Sequence, residues 1–165
     1  MNFPASAVMA AFMGLAGAAP ALAQEWVLGG DLSWFGGSGP DAVPGVTLEF
    51  HGAPEWSLGR VDAGLGVAGS LDDRGGAWVG AGVSALAPVM DDLYVEASLM
   101  PGYYSAGSSA TDLGHRLQFR SLVGLGYIID RDMSVSLALS HKSNAGLSDD
   151  NPGANTLSVR FRRSF

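Results

Sequence analysis

The chain has 165 residues, enough for one folded domain, and it contains 24 glycines, no cysteine and only 15% charged residues. The mean hydropathy of +0.21 is unusual for a soluble domain, yet the apolar residues are spread through short alternating runs instead of one long spanning helix. The formal net charge of −7 and the lack of a basic stripe argue against a nucleic-acid partner.

The first 23 residues have the composition of a targeting segment. Residues 8–23 are small and apolar, and they close with Ala21, Leu22 and Ala23 before Gln24. This pattern resembles a secretory signal peptide cleaved after Ala23, although no Lys or Arg precedes the apolar stretch. An amphipathic first helix is disfavoured because the stretch has no polar face. We therefore expect a signal peptide at 1–23 and a mature domain at 24–165.

The mature part contains eight runs in which apolar and polar residues alternate. They cover residues 26–35, 46–51, 56–71, 77–89, 93–104, 116–129, 133–144 and 156–165. Side chains of a β-strand alternate between its two faces, so each run predicts a strand with one apolar face. A run length of about ten residues is typical of a tilted transmembrane strand.

The connections between the runs favour a membrane barrel over a soluble one. They alternate long and short at 36–45, 52–55, 72–76, 90–92, 105–114, 130–132 and 145–155. Outer-membrane barrels have long outer loops and short periplasmic turns, and Phe165 provides the terminal aromatic residue typical of such barrels. A soluble lipocalin-like barrel, apolar inside and polar outside, is the alternative. We predict an all-β fold, an eight-stranded antiparallel transmembrane β-barrel.

The polar faces of the runs carry charges of both signs, which suits the ion-paired interior of a small barrel. The residues expected there are Asp31, Glu49, His51, Arg60, Asp62, Glu96, Arg116, Arg120, Lys142, Arg160 and Arg162. On the apolar faces, Trp26, Trp34, Tyr103 and Tyr127 suit the aromatic girdles at the membrane interfaces.

The seventh run, 133–144, ends its apolar face with His141 and Ser143. A serine hydroxyl becomes a nucleophile when a base removes its proton, and histidine is the usual partner. With a periplasmic N-terminus, this pair faces the outer leaflet, which is largely lipopolysaccharide in Gram-negative bacteria. The pattern is short, and an interfacial His and Ser without chemistry is the competing interpretation.

A longer string extends this motif. It comprises His141, Lys142, Ser143, Asn144, Ala145 and Gly146, followed by Asn151, Pro152 and Gly153. The string resembles the H-x-S-N-A-G signature of the PagL-type lipid A 3-O-deacylases. The resemblance implies an eight-stranded outer-membrane esterase that acts on the lipid A of lipopolysaccharide. It also implies that His141 is the general base, that Ser143 is the nucleophile and that backbone amides around Asn144 and Gly146 form the oxyanion hole. Neither a metal nor another cofactor is required.

One residue departs from the family pattern. The third catalytic member of the family is a Glu early in the last strand, and that position falls on Asn155 here, with no Glu after Glu96. Three interpretations stay open: Asn155 orients His141, Asp149 or Asp150 supplies the charge, or the site is degenerate. The last corresponds to a non-catalytic barrel with a structural or adhesion role. The oligomeric state is open too, including a homodimer.

Overall fold

The computed structural model describes residues 24–36 and 41–165, which form nine strands and one turn of 3-10 helix at Ser109–Thr111. The strands are β1 (Glu25–Phe35), β2 (Val43–His51), β3 (Trp56–Leu58), β4 (Val61–Asp72), β5 (Ala77–Pro88), β6 (Leu93–Ser105), β7 (Leu117–Ile128), β8 (Met133–Ser143) and β9 (Ala154–Ser164). No helix in these two ranges is long and apolar enough to cross a membrane. The expected signal peptide at 1–23 lies outside the described residues and stays a prediction.

Eight of the strands close into an antiparallel barrel. Each long strand pairs with its neighbours in sequence, and β1 pairs with β9 across the closure, with Leu28 opposite Phe161. Closure leaves no free edge along the sheet, as the membrane requires. The predicted eight-stranded antiparallel barrel is confirmed. We call the end with the β1–β2, β4–β5, β6–β7 and β8–β9 connections the upper rim, and the opposite end the lower rim.

The prediction for the third run was wrong in its start and its turn. Residues 56–71 were predicted as one strand after a turn at 52–55, but β3 pairs back onto β4 with Leu58 opposite Val61. The chain reverses at Gly59, whose φ of 64° is in the left-handed region that glycine adopts without strain. The hairpin therefore extends past residues 52–55, and its tip lies at Gly59 and Arg60.

The two faces of the barrel differ as the alternation predicts. Large apolar side chains are exposed on the outer face, including Leu28, Val46, Leu65, Val83, Leu99, Val123, Leu125, Leu137, Leu139, Val159 and Phe161. The lumen instead holds buried polar side chains such as Asp31, Glu49, Glu96, Arg120, Arg160 and Arg162. This is the distribution of a barrel whose outer surface meets hydrocarbon and whose interior is filled by its own side chains.

The centre of the lumen is a network around Glu49, which is 0% exposed. Its carboxylate forms ion pairs with Arg120 and Arg160, each with one N–O distance of 2.8 Å, and Arg160 also donates hydrogen bonds to it. Arg162 reaches Glu96 at 2.7 Å. Buried charges are tolerated when they are paired in this way, because an unpaired one costs several kcal/mol.

Three charges expected in the lumen lie outside it. Arg60 is in the exposed hairpin turn, and Asp62 is exposed on the same hairpin, where its Oδ1 accepts a bond from Ser57 Oγ at 2.6 Å. Arg116 is exposed at the upper rim. All three lie at strand ends, where the chain leaves the barrel wall and alternation no longer sets the direction of the side chain.

Candidate active site

His141 and Ser143 lie on the outer face of β8, near the upper rim. His141 is exposed and Ser143 is half-buried, whereas Lys142 between them is buried in the lumen. Two residues of a strand on the same face are about 6.5–7 Å apart along it, a gap that leaning side chains can close. The structure therefore puts the predicted base and nucleophile on the same lipid-facing surface.

Asn155 is directly opposite His141 in the pairing of β8 with β9. Its Oδ1 is 2.8 Å from His141 Nδ1. Nδ1 must carry the proton to donate to this oxygen, which leaves the lone pair on Nε2, the nitrogen needed for a general base. Of the three interpretations, the orienting role of Asn155 is the one with a contact to support it.

The loop carboxylates do not replace Asn155 in this conformation. Asp149 and Asp150 are both exposed, and within the described residues no carboxylate oxygen lies within 4 Å of the His141 ring. The backbone carbonyl of Asp150 accepts a hydrogen bond from Asn144 Nδ2 at 2.8 Å. The imidazole is thus held by an amide and not by a charged group.

In the turn after Ser143, both backbone N–H groups that were predicted to form the oxyanion hole already donate hydrogen bonds within the protein. The Asn144 N–H donates to Asn151 Oδ1 at 3.0 Å, and the Gly146 N–H donates to Asn144 Oδ1 at 3.0 Å. Neither N–H is free in this conformation to receive an oxyanion, because one N–H makes one strong bond. The N–H of Ala145, between them, has no acceptor within the described ranges.

Backbone geometry explains how this turn is formed. Ala145 and Gly146 have φ values of 55° and 79°, and the Leu147 N–H closes the turn onto the Asn144 carbonyl at 3.1 Å. Two consecutive positive φ values are the mark of a type I′ turn, which reverses the chain tightly. Small residues are needed here, because a bulky side chain at Ala145 would be strained.

Asn144 joins two upper-rim loops, a role that the sequence did not reveal. Its side chain is 0% exposed, and Nδ2 donates to the carbonyls of Leu113 at 3.1 Å and Asp150 at 2.8 Å. The first carbonyl belongs to the β6–β7 connection and the second to the β8–β9 connection. With the bond to Gly146, this buried amide group is well satisfied and fixes the loop beside Ser143.

Gly153 lies beside Cε1 and Nε2 of the His141 ring, whereas Asn155 contacts Nδ1. A Cβ at this position would lie 3.1 Å from His141 Cε1 and 3.6 Å from Nε2. Its φ of 70° is also in the left-handed region. Its carbonyl accepts a bond from the Gly36 N–H at 2.9 Å. The absence of a side chain here therefore leaves the Nε2 side of the ring accessible.

The lumen offers little room for a substrate or a cofactor. The cavity lined by Asp31, Arg120 and Lys142 has a volume of about 20 Å³, the scale of a single water molecule. In the part of the chain that the structure describes, no group of three or more His, Cys, Asp or Glu side chains could hold a metal ion. The exposed surface around His141 is thus the better candidate for chemistry.

Comparison with known sequences indicates one family. The family model described as PagL, lipid A 3-O-deacylase, matches residues 42–164. The chain is 32% identical over 73 residues to the lipid A deacylase PagL of Bordetella bronchiseptica, a match that covers 44% of this chain and 41% of that protein. The match thus spans less than half the length of this curated relative.

Comparison with solved structures shows the fold. The crystal structure of the outer membrane enzyme PagL matches with a TM-score of 0.64 at 17% identity, over 83% of this chain and 98% of that one. Neisserial surface protein A matches with a TM-score of 0.56 at 11% identity, over 87% and 96% of the two chains. A designed transmembrane β-barrel matches with a TM-score of 0.59 at 9% identity, over 89% and 98%. Since barrels with different names share this architecture, the fold alone does not identify the activity.

Proposed function

The chain belongs to the PagL family of lipid A 3-O-deacylases, and from this premise we propose that it is an outer-membrane serine esterase that removes the acyl chain at position 3 of lipid A. The observation that carries the proposal is the 2.8 Å contact of His141 Nδ1 with Asn155 Oδ1 on the surface that also bears Ser143. An imidazole held by one nitrogen and free at the other is the arrangement that a general base needs.

The proposed reaction has two steps. His141 Nε2 takes the proton of the Ser143 hydroxyl as Ser143 Oγ attacks the ester carbonyl. The imidazolium then protonates the departing sugar oxygen, which leaves the acyl group on Ser143 as an acyl-enzyme. Water attacks the acyl-enzyme with His141 again as base, releasing a fatty acid and restoring Ser143. The Ala145 N–H, two residues after Ser143, has no acceptor among the described residues, and we assign the oxyanion to it in place of the amides of Asn144 and Gly146.

Asn155 has a limited part in this reaction. Its oxygen holds the imidazole in the tautomer with a proton on Nδ1, but an amide has no charge with which to stabilise the imidazolium that forms. In Cys-His-Asn enzymes an amide is sufficient as an orienting group. We therefore expect turnover that is slower than a carboxylate at this position would give.

The orientation in the membrane follows from the same proposal. The termini and the lower rim face the periplasm, and the upper rim faces the cell exterior, so that Ser143 meets the outer leaflet where lipopolysaccharide lies. The exposed leucines of β8 below the site, Leu137 and Leu139, are then level with the acyl chains of the substrate. All groups of the proposed site come from one chain, so a monomer and a homodimer have the same expected chemistry.

The test is the mass spectrum of lipid A from Gram-negative cells that express the protein. We expect the loss of one hydroxyacyl chain, and no loss with Ser143→Ala. Ser121 is the matched control, because it is a serine on the same outer face and is directly opposite His141 on β7. Ser121→Ala should still deacylate lipid A. Deacylation that is lost in Ser121→Ala and kept in Ser143→Ala would overturn the choice of nucleophile.

The alternative function, a non-catalytic barrel, has a distinct outcome in the same experiment. A protein that shows the heat-dependent gel shift of a folded barrel but leaves lipid A unchanged would contradict the esterase proposal. The replacement of the expected carboxylate by Asn155 is the feature that favours this outcome.

A further inference from the structure

A group of three hydrogen-bond donors lies at the upper rim where β7 begins. Arg116 Nη1 donates to Tyr103 Oη at 2.8 Å, and its guanidinium carbon lies 5.9 Å from the centre of the same ring. Tyr103 belongs to the exposed outer face of β6. Both contacts hold the Arg116 guanidinium against the outside of the barrel. A tyrosine with a cation over its ring is suited to the membrane interface.

The neighbouring histidine contributes the third donor. His115 Nδ1 accepts the Leu117 N–H at 3.0 Å, so that Nε2 carries the ring proton and is free to donate. The backbone of this segment is held from within the barrel, because the buried Gln118 Nε2 donates to the His115 carbonyl at 2.6 Å. His115 and Arg116 are therefore exposed groups on a fixed backbone.

Arg116 has no direct ion-pair partner in the described parts of the chain. Among the described residues, no carboxylate oxygen lies within 4 Å of the Arg116 guanidinium nitrogens. The Asp112 carboxylate, four residues earlier in the chain, accepts the Gly114 N–H at 2.9 Å. The lumenal arginines differ, since Arg120 and Arg160 each contact a glutamate. An arginine that is held in place and lacks an acidic partner is prepared to bind an anion from outside.

The group lies close to the proposed nucleophile. Ser143 is opposite Phe119 on β7, and Tyr103 is opposite Leu117 two residues further up the same strand. Ser143 and Tyr103 are thus two strands apart across the sheet and two residues apart along the strand direction. These offsets place their Cα atoms about 12 Å apart. That is the scale of one sugar with its substituents. Asn144, next to Ser143, also holds the loop before His115 through the Leu113 carbonyl.

We propose that Tyr103, His115 and Arg116 form a binding site for a phosphoryl group on the headgroup of the glycolipid substrate. Lipid A is a phosphorylated glycolipid, and the guanidinium fork matches a phosphate with two parallel hydrogen bonds. The inference rests on the proposed function for the substrate and for the orientation of the upper rim. It adds a contact that orients the sugar while its ester meets Ser143.

The test compares two substrates with the detergent-purified full chain at low salt. They are phosphorylated lipid A and the same lipid A after removal of its phosphate groups. We expect the wild-type KM to be about tenfold lower for the phosphorylated lipid, about 1.4 kcal/mol of binding. Arg116→Gln should abolish this preference, and Arg116→Lys should keep part of it, because lysine retains the charge without the fork.

Arg74 provides the matched control, since it is an exposed arginine on another upper-rim connection. Arg74→Gln should keep the preference. Equal losses in the two glutamine variants would mean a diffuse electrostatic effect and would overturn the site. An unchanged preference in Arg116→Gln would overturn it too. Competition by inorganic phosphate as effective as that by the lipid would indicate a site for free phosphate instead.

A second measurement separates this inference from the proposed function. Equilibrium binding of the two lipids to Ser143→Ala needs no turnover, so it reports on the phosphoryl site even if the wild type releases no fatty acid. Absence of acyl release from both lipids would contradict the esterase proposal alone. Equal binding of both lipids, or a preference that survives when Arg116→Gln is added to Ser143→Ala, would contradict the phosphoryl site alone.

Discussion

Two histidines of the barrel lie on opposite faces of the wall and differ in how their ring nitrogens are bonded. His51 points into the lumen, is 4% exposed and uses both ring nitrogens, with Glu49 at 2.8 Å from Nε2 and Arg162 at 3.2 Å from Nδ1. His141 is exposed on the outer face and, among the residues that the structure describes, its ring has one hydrogen-bond partner, Asn155. A fully bonded imidazole cannot take a proton without breaking a contact, so only the partly bonded one can act as a base.

The largest expected effect tests this division directly. His141→Gln removes the proposed base, and we expect acyl release to fall by about 10⁴-fold, as when a member of a catalytic triad is lost. The free energy of unfolding should change by less than about 0.5 kcal/mol, because the residue is exposed. Acyl release from purified lipid A and urea unfolding in detergent measure the two quantities.

His51→Gln is the matched change in the lumen. It should lower the free energy of unfolding by about 1–3 kcal/mol, since buried partners are left with poorer bonds, and acyl release should persist. If His51→Gln abolished acyl release while His141→Gln spared it, the assignment of structure and chemistry to the two faces would be reversed.

The next effect is on stability alone. Glu49→Gln leaves the guanidinium groups of Arg120 and Arg160 without their shared anion inside the barrel. Removing one partner of a buried ion pair costs about 3–5 kcal/mol, so the urea midpoint of the heat-dependent gel shift should fall sharply. Asp62→Asn is the control, because the one side-chain hydrogen bond of that exposed carboxylate within the described residues is to Ser57. Its loss should cost less than about 1 kcal/mol. Equal midpoints for the two variants would show that the lumenal network does not stabilise the barrel.

The division between the two faces was largely readable from the sequence, and its exceptions occur at strand ends. Period-two alternation placed Glu49 inside and Leu48 outside correctly, because register in a sheet with two unlike faces is strongly specified. The apolar alternation changes parity at the hairpin tip, from Trp56 and Leu58 to Val61 and Ala63, and the prediction of one continuous strand missed this change. Gly59 and Arg60 also lack the Asn-Gly or Asp-Gly signal of a two-residue turn.

The candidate site was readable only in part for a similar reason. His141, Ser143 and Asn155 lie on regular strands, so parity and pairing predict that they share one surface. Asn144 instead contacts the Leu113 carbonyl, 31 residues away on another loop. Strand alternation carries no information about this loop-to-loop contact. It is equally silent about the bonds within the β8–β9 connection that occupy the N–H groups of Asn144 and Gly146.

The third prediction concerns a variant in which His141, like His51, has a carboxylate partner. Asn155→Asp keeps an oxygen at the position of Oδ1 and adds the negative charge that Glu49 provides to His51. We expect turnover to rise by about 100-fold, below the roughly 10⁴-fold cost of the opposite change in serine proteases, because this site is exposed. Acyl release at saturating lipid A measures it. Asn155→Glu should also raise turnover, and a fall in both variants would show that the surroundings of His141 are adapted to an amide.

The smallest effect concerns the open side of His141, which the lumenal histidine lacks. Gly153→Ala would put a methyl group 3.1 Å from Cε1 of the ring and would force alanine to a φ of 70°. Crowding next to Nε2 should displace the imidazole from Ser143, and we expect turnover to fall by about tenfold, equivalent to about 1.4 kcal/mol. Gly59→Ala separates the two causes, because its φ of 64° imposes a similar backbone strain while a Cβ there meets nothing within 4 Å. Stability should fall by about 1–2 kcal/mol in both variants, and turnover should fall only in Gly153→Ala. A Gly153→Ala protein with full turnover would mean that the approach to Nε2 does not limit the reaction.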